Sequence, residues 1–150
     1  RLVHALKYER GFHLLRDVEA IARANPYFTS FLAGAILVPV PLHSRKHRER
    51  GYNQAELLAQ CLAEVTGAAG VERVVRRIVD TSTQTRLNRE NRQENLKNAF
   101  ALAGAASLKA TQRYVLVDDV FTTGATLNAC ARVLRRSGLT RVDVATLGHG

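Results

Sequence analysis

The sequence contains no methionine, no tryptophan and only two cysteines, Cys61 and Cys130. Two isolated cysteines argue against a disulfide scaffold or a cysteine-based zinc site, and they predict buried thiols in a reducing, cytoplasmic compartment. No apolar run approaches the length of a membrane span, and no signal-peptide pattern opens the chain. Because methionine is absent even from position 1, we expect the sequence to be a piece of a longer protein.

The composition is that of a globular domain with an excess of basic residues. The 150 residues are 46% hydrophobic and 23% charged, which is enough for one domain that buries about 70% of its unfolded surface. The net charge is +9, from 22 basic and 13 acidic residues. This excess suits a polyanionic ligand such as nucleic acid, a nucleotide or pyrophosphate, but it also suits a merely soluble basic surface.

Helical and strand-like segments alternate along the chain. This alternation predicts an α/β fold with an open, mainly parallel sheet flanked by helices. Pro39 and Pro41 should end the first strand, because proline donates no ladder hydrogen bond. The predicted helices cover residues 2–24 (broken near Gly11 and ended by Asn25-Pro26), 53–66 and 124–137, and the predicted strands cover residues 35–38, 71–79, 114–117 and 142–147.

The most informative stretch runs from Val115 to Thr126. A buried apolar strand leads into two carboxylates, Asp118 and Asp119, at the strand end where ligands bind in open α/β sheets. Carboxylates accept hydrogen bonds from sugar hydroxyls, and the backbone N–H groups at a helix start bind anions. The pattern therefore predicts a ribose on the aspartates, and the alternative is an ordinary strand-to-helix turn. A 5′-phosphate is predicted on Thr122, Thr123, Gly124, Ala125 and Thr126.

A cluster of basic side chains follows the first strand. Arg45, Lys46 and Arg50 are predicted to bind pyrophosphate, since guanidinium groups suit phosphate oxygens. The alternative is a solvated, basic helix start. His43 and His47 have the four-residue spacing of metal ligands, but the neighbouring cations oppose a metal ion.

A long polar segment at about residues 80–98 has no clear periodicity. It combines cations, amides and hydroxyls, and loops of this length in compact domains are commonly lids over a site. A charged surface hairpin is the alternative. The residues predicted to act in the lid are Thr81, Gln84, Arg89, Arg92 and Asn95.

The strand, the acid pair and the Thr-Thr-Gly-x-Thr turn resemble the ribose-phosphate loop of type I phosphoribosyltransferases. Over about residues 2–147 the chain also resembles the ComF family of competence-associated, phosphoribosyltransferase-like proteins. The segments that carry this second resemblance are Lys7-Tyr8, Val38-Pro39-Val40-Pro41-Leu42, Arg50-Gly51-Tyr52-Asn53-Gln54, Thr81-x-x-Gln84, Arg92-x-x-Asn95, Ala99-Phe100 and 118–126.

The resemblance implies a single domain in which residues 1–33 form a helical hood and residues 34–150 form an α/β core. The family's four-cysteine zinc segment is absent, so no zinc is expected here. Asn98 stands where the family commonly has glycine.

The resemblance also implies a reaction. A nucleophile would attack C1 of phosphoribosyl pyrophosphate (PRPP) and displace pyrophosphate, with Mg²⁺ bridging ribose and pyrophosphate oxygens. Asp118 and Asp119 would be the catalytic pair that holds the 2′- and 3′-hydroxyls. Arg45, Lys46 and Arg50 would neutralise charge on the leaving pyrophosphate. No residue is an obvious general base. The acceptor of the phosphoribosyl group could be a nucleobase or an amine, or there could be no acceptor at all.

The family further implies a role in competence and DNA uptake. The partners considered are PRPP or another ribose-5-phosphate nucleotide, single-stranded DNA, a membrane-associated competence helicase and a second copy of the chain. Two alternatives stay open, a non-catalytic accessory protein that binds single-stranded DNA and a nucleotide-sensing regulator. The chain has four tyrosines, five phenylalanines and no tryptophan, so it has few aromatic side chains on which the bases of single-stranded DNA could stack.

Overall fold

Four parallel strands form the central sheet of the computed structural model, which describes residues 12–79, 98–104 and 108–150. The strands of the described residues are β1 (Ile36–Pro39), β2 (Gly70–Val71), β3 (Val75–Arg77), β4 (Phe100–Leu102), β5 (Tyr114–Phe121) and β6 (Val142–His149). The central sheet has the order β2-β1-β5-β6, and β3 and β4 form a separate antiparallel pair. The predicted fold class is confirmed.

Helices cover both faces of the sheet. They are α1 (Phe12–Ala24), α2 (Pro26–Leu32), α3 (Ser44–Arg50), α4 (Gln54–Thr66) and α5 (Ala125–Arg136). On one face, Leu37 and Val115 of the sheet are buried with Leu58 of α4 and Val18 of α1. On the other face, Val38 and Leu116 are buried with residues of α5, β3 and β4. Each such leucine or valine contributes about 1.5–3 kcal/mol by leaving water.

The two C-terminal helices follow their predictions closely. Asn53 caps α4 by accepting a hydrogen bond from the backbone of Ala55 at 3.1 Å, and Gly67 ends the helix in the left-handed region. In α5, which was predicted over residues 124–137, Leu127, Cys130 and Leu134 are buried.

Strands β5 and β6 are longer than predicted. We expected β5 to end at Val117, but it continues through Asp118 to Phe121, because β6 pairs with it up to Phe121 and His149. Tertiary pairing thus overrides the low strand propensity of aspartate. The two carboxylates lie within the last part of the strand rather than after it.

β1 ends at Pro39, as expected, but the proline itself still belongs to the strand. Pro39 still pairs with Val117, and Val40 donates its backbone N–H to the Val117 carbonyl at 2.9 Å. On the other side of β1, the Leu37 carbonyl accepts from Glu72 N at 3.0 Å. Alternation along the strand therefore turns the nitrogen of Pro39 towards the β2 side, where no donor is needed because β2 has already ended.

The prediction of a single strand over residues 71–79 is wrong. The structure divides it into β2 and β3, which belong to different sheets. Helix α2 was not predicted, although Asn25 is its N-cap and Pro26 is at its first position. Asn25-Pro26 therefore ends one helix and begins the next.

Two predicted regions are covered only in part. Of the hood predicted over residues 1–33, the described residues 12–33 pack on the α4 face of the sheet, and the hood itself stays a prediction. The lid residues from Thr81 to Asn95 lie outside the described residues. Within the part of the chain that the structure describes, no helix is both long enough and apolar enough to cross a membrane.

Candidate functional site

The two aspartates lie side by side near the C-terminal end of β5. Asp119 N donates a hydrogen bond to Asp118 Oδ1 at 2.9 Å, which fixes the Asp118 carboxylate against the backbone. Asp119 is buried, with 7% of its surface exposed, whereas Asp118 is half-buried. Because successive strand residues alternate in direction, the two carboxylates are not equivalent.

The turn after β5 is shaped by Gly124. Its φ is +70°, a left-handed conformation that favours glycine, and a Cβ there would lie 2.9 Å from the Phe121 ring. Gly124 is the N-cap of α5, and its carbonyl accepts from Asn128 N at 2.8 Å. Thr122 and Thr123 are exposed on the turn. The helix start thus presents backbone N–H groups and the positive end of the helix dipole beside two hydroxyls.

Three neighbouring pockets lie around this strand end and the end of β1. The turn pocket has a volume of about 180 Å³, the arginine pocket about 190 Å³ and the edge pocket about 420 Å³. The turn pocket is lined by Asp118, Asp119, Val120, Thr122, Gly124, Ala125, Thr126 and Leu127. The arginine pocket is lined by Val40, Pro41, Leu42, Arg50, Asn53, Gln54, Ala55, Arg77, Asp118, Asp119 and Thr126. The edge pocket is lined by Pro39, Pro41, Leu42, His47, Asn53, Glu56, Arg73, Val75, Arg76, Arg77 and Ala103. The turn and arginine pockets share both aspartates and Thr126, so they form one continuous site.

The joint between α3 and α4 positions Arg50 at this site. Gly51 ends α3 with a φ of +78° and donates its N–H to the His47 carbonyl at 2.8 Å. Two residues later, the side chain of Asn53 donates to the Val40 carbonyl at 3.0 Å while it caps α4. The Arg-Gly-Tyr-Asn-Gln motif therefore consists of a helix end, a helix start and an anchor to the continuation of β1.

The structure brings Arg77 into the site, a residue that the sequence reasoning did not assign to it. Arg77 pairs with Phe100 across β3 and β4, and its guanidinium carbon lies 5.4 Å from the centre of the Phe100 ring. Its Nε donates to the Val79 carbonyl at 3.2 Å. Its position at the start of the Arg-x-x-x-Thr-x-x-Gln segment was the available sequence signal.

The three predicted pyrophosphate residues have different positions. Arg50 lines the arginine pocket. Arg45 is exposed and forms an ion pair with Glu49 at 3.0 Å, and it lines neither pocket of the site. The Lys46 side chain lies outside what the structure describes, so its role stays a prediction.

The two histidines of the basic cluster have separate positions. His43 caps α3, where its Nδ1 accepts from Arg45 N at 3.3 Å, and His47 lines the edge pocket. No group of three or more histidine, cysteine, aspartate or glutamate side chains that could hold a metal ion occurs among the described residues.

Cys130 lies on α5 behind the site. Burial raises the pKa of the Cys130 thiol well above its usual range, the charge of Asp118 raises it further, and the charge of Arg77 opposes this rise. Asp118 and Arg77 thus act electrostatically on the same buried thiol, which agrees with their positions around one pocket.

Comparison with known proteins identifies the family. The phosphoribosyl transferase domain model matches residues 49–149. Competence protein F of Haemophilus influenzae is 42% identical over 108 residues, which are 72% of this chain and 47% of that protein. The DNA utilization protein YhgH of Escherichia coli K12 is 35% identical over 148 residues, which are 95% of this chain and 63% of that protein. The chain thus spans between about half and two thirds of these relatives.

A solved structure gives the same result for the fold. A hypoxanthine phosphoribosyltransferase from Staphylococcus aureus superposes with a TM-score of 0.54 at 13% sequence identity, over 90% of this chain and 64% of that one. At this identity the similarity concerns the fold alone. Together with the family match, it confirms the resemblance inferred from the sequence, and the chain belongs to the phosphoribosyltransferase domain family.

Proposed function

We propose that the chain binds PRPP and transfers its phosphoribosyl group, in the setting of competence or DNA utilization that the names of its relatives indicate. The observation that carries this proposal is the continuous site formed by the turn and arginine pockets. It joins a helix N-terminus, two carboxylates and two arginines in one cleft at the C-terminal end of β5.

The turn pocket is the proposed site of the 5′-phosphate. Backbone N–H groups at the start of α5 and the hydroxyls of Thr122 and Thr126, which line this pocket, would donate to phosphate oxygens. Thr123 does not line the pocket and stays a prediction for the same role. Each charge-assisted hydrogen bond of this kind is worth about 1.5–3 kcal/mol. Because Gly124 has no Cβ, the Phe121 ring can pack against the turn while the backbone keeps its left-handed conformation.

The aspartates are the proposed ribose site. Carboxylates repel phosphate oxygens but accept hydrogen bonds from hydroxyls, so Asp118 and Asp119 suit the 2′- and 3′-hydroxyls. Both residues line the two pockets, so a ribose bound to them would lie between the proposed sites of the 5′-phosphate and the pyrophosphate.

The arginine pocket is the proposed site of pyrophosphate. Arg50 comes from the end of α3 and Arg77 from β3, so the two guanidinium groups reach one pocket from different segments. As the bond from C1 to pyrophosphate breaks, negative charge grows on the leaving group, and fixed cations beside it lower the barrier. Lys46 remains a prediction for the same role, whereas Arg45 lines neither pocket and has no part in this proposal.

Magnesium fits this donor set. The hard carboxylate oxygens of Asp118 and Asp119 are ligands that Mg²⁺ prefers, and the ion commonly keeps several waters beside one or two carboxylates. Bound Mg²⁺ would neutralise charge on the pyrophosphate and ribose oxygens. Asp118 and Asp119 are the residues that would hold it.

The transfer itself is a displacement at C1. The acceptor's nucleophilic atom forms the new bond to C1, the bond from C1 to pyrophosphate oxygen breaks, and the electron pair leaves with pyrophosphate. The acceptor's proton must go to a base that we do not assign among the described residues. The chain's own contribution is therefore orientation of the ribose and stabilisation of the leaving group.

Calorimetric titration with PRPP and Mg²⁺ tests the proposal directly. We expect saturable binding whose affinity falls only slightly with salt, because enclosed directional contacts replace a diffuse ion atmosphere. Single-stranded DNA bound through surface arginines would instead lose about 0.7 log units per phosphate contact for each decade of salt. No measurable binding of PRPP, together with tight binding of DNA at physiological salt, would overturn the proposal.

A further inference from the structure

The largest of the three neighbouring pockets has no role in the transfer proposed above. The edge pocket, at about 420 Å³, has more than twice the volume of the arginine pocket. Pro41, Leu42, Asn53 and Arg77 line both pockets, so one opens into the other. The turn pocket shares no lining residue with the edge pocket, so the arginine pocket lies between them.

This order has a geometric consequence, which rests on the proposed function. If the 5′-phosphate occupies the turn pocket and pyrophosphate the arginine pocket, the edge pocket lies beyond the leaving group. A nucleophile that displaces pyrophosphate must approach C1 from the side opposite to it. The edge pocket therefore suits a group connected to the pyrophosphate position rather than the acceptor of the transfer.

The lining of the edge pocket combines an apolar wall with cations. Pro39, Leu42 and Val75 provide apolar surface, and Val75 is buried. Arg73, Arg76 and Arg77 all come from one short stretch, whereas Glu56, which forms an ion pair with Arg73, is the acidic residue of the lining. A ligand with a flat apolar part and a negative charge matches this combination.

The backbone at the open edge of β1 adds a hydrogen-bonding pattern. Alternation along β1 turns the carbonyl of Pro39 to the same side as that of Leu37, which accepts from Glu72. Pro39 and Pro41 have no N–H to offer there. The edge thus presents the Pro39 carbonyl as an acceptor beside prolines that offer no donor, which suits the amino group of a nucleobase.

We propose that the edge pocket binds the nucleobase of a nucleoside diphosphate whose two phosphates occupy the arginine pocket. The diphosphate would take the position of the pyrophosphate of PRPP, so the two ligands would compete. Ribose 5-phosphate, which would use the turn pocket and the aspartates, should compete much less.

The experiment uses ADP with Mg²⁺ as the probe and pyrophosphate with Mg²⁺ as the ligand that lacks a base. We expect ADP to bind at least about tenfold more tightly than pyrophosphate, a difference of about 1.4 kcal/mol, and to raise the apparent Kd of PRPP. Filling the edge pocket with Ala103→Phe should reduce ADP affinity to that of pyrophosphate and leave pyrophosphate unchanged. The matched control is Ala110→Phe, at an exposed position outside the three pockets.

His47→Trp serves as a second filling variant if Ala103→Phe does not fold, because His47 is exposed on α3. The inference is overturned if ADP binds no better than pyrophosphate, or if a folded filling variant leaves ADP affinity unchanged. Failure of PRPP to bind the unaltered chain would instead overturn the proposed function. In that case ADP binding that the filling variants abolish would still support the edge pocket as a nucleobase site.

Discussion

The turn pocket and the arginine pocket differ in how the chain builds them. The turn pocket comes from one continuous stretch, from Asp118 to Leu127, that includes the end of β5 and the start of α5. The arginine pocket combines residues from four separate parts of the sequence, namely residues 40–42, Arg50 with residues 53–55, Arg77, and the two aspartates with Thr126. The turn pocket is therefore the local end of the site, formed by neighbours in sequence, and the arginine pocket is the assembled end, formed by residues that the fold brings together.

This difference explains why the two ends have different electrostatic character. The local end uses backbone N–H groups and the helix dipole, which are fixed once the turn forms. The assembled end uses long arginine side chains, each positioned by its own contacts, such as the Phe100 ring and the Val79 carbonyl around Arg77. Substitutions at the two ends should therefore affect different ligands.

The largest effect is expected where the two ends meet, at the aspartates. Asp118→Asn combined with Asp119→Asn should weaken both PRPP and ribose 5-phosphate by more than tenfold, since charge-assisted hydrogen bonds are worth about 1.5–3 kcal/mol each. Calorimetry on the folded variant gives both affinities. Asp17→Asn, at an exposed position on α1, is the matched control. Unchanged affinity for ribose 5-phosphate in the double variant would refute the ribose assignment.

The same contrast accounts for what the sequence could predict. The acid pair, Gly124 and the helix start are neighbours in sequence, so their chemistry is readable without the fold, and they lie together at one pocket. The direction of α3 decides that Arg50 lines the pocket and that Arg45 does not. That direction depends on contacts of Gly51 and Asn53, which the sequence alone does not show. Arg77 reaches the site only because β3 pairs with β4, a contact over more than 20 residues that no local pattern encodes.

A pair of arginine variants tests the assembled end. Arg50→Ala should weaken PRPP by about tenfold, the equivalent of one charge-assisted hydrogen bond at the lower end of its range. Affinity for ribose 5-phosphate should change little, because that ligand has no pyrophosphate. Arg45→Ala removes the same charge from an exposed side chain already paired with Glu49, so it should leave PRPP binding nearly unchanged. Equal losses of PRPP affinity in the two variants would indicate that the arginines act through the general electrostatic field of the basic surface rather than through a direct contact.

A glycine variant tests the local end. Gly124→Ala adds a Cβ 2.9 Å from the Phe121 ring at a φ of +70°, so the turn must shift. We expect a loss of stability of about 1–2 kcal/mol from the left-handed φ, a further loss from the contact with Phe121, and a weaker affinity for ribose 5-phosphate. Gly104→Ala is the control, since its φ of +61° imposes the first loss but no atom lies within 4 Å of the added Cβ. Thermal unfolding gives the two stabilities, and calorimetry would contradict the assignment if both variants bound ribose 5-phosphate equally well.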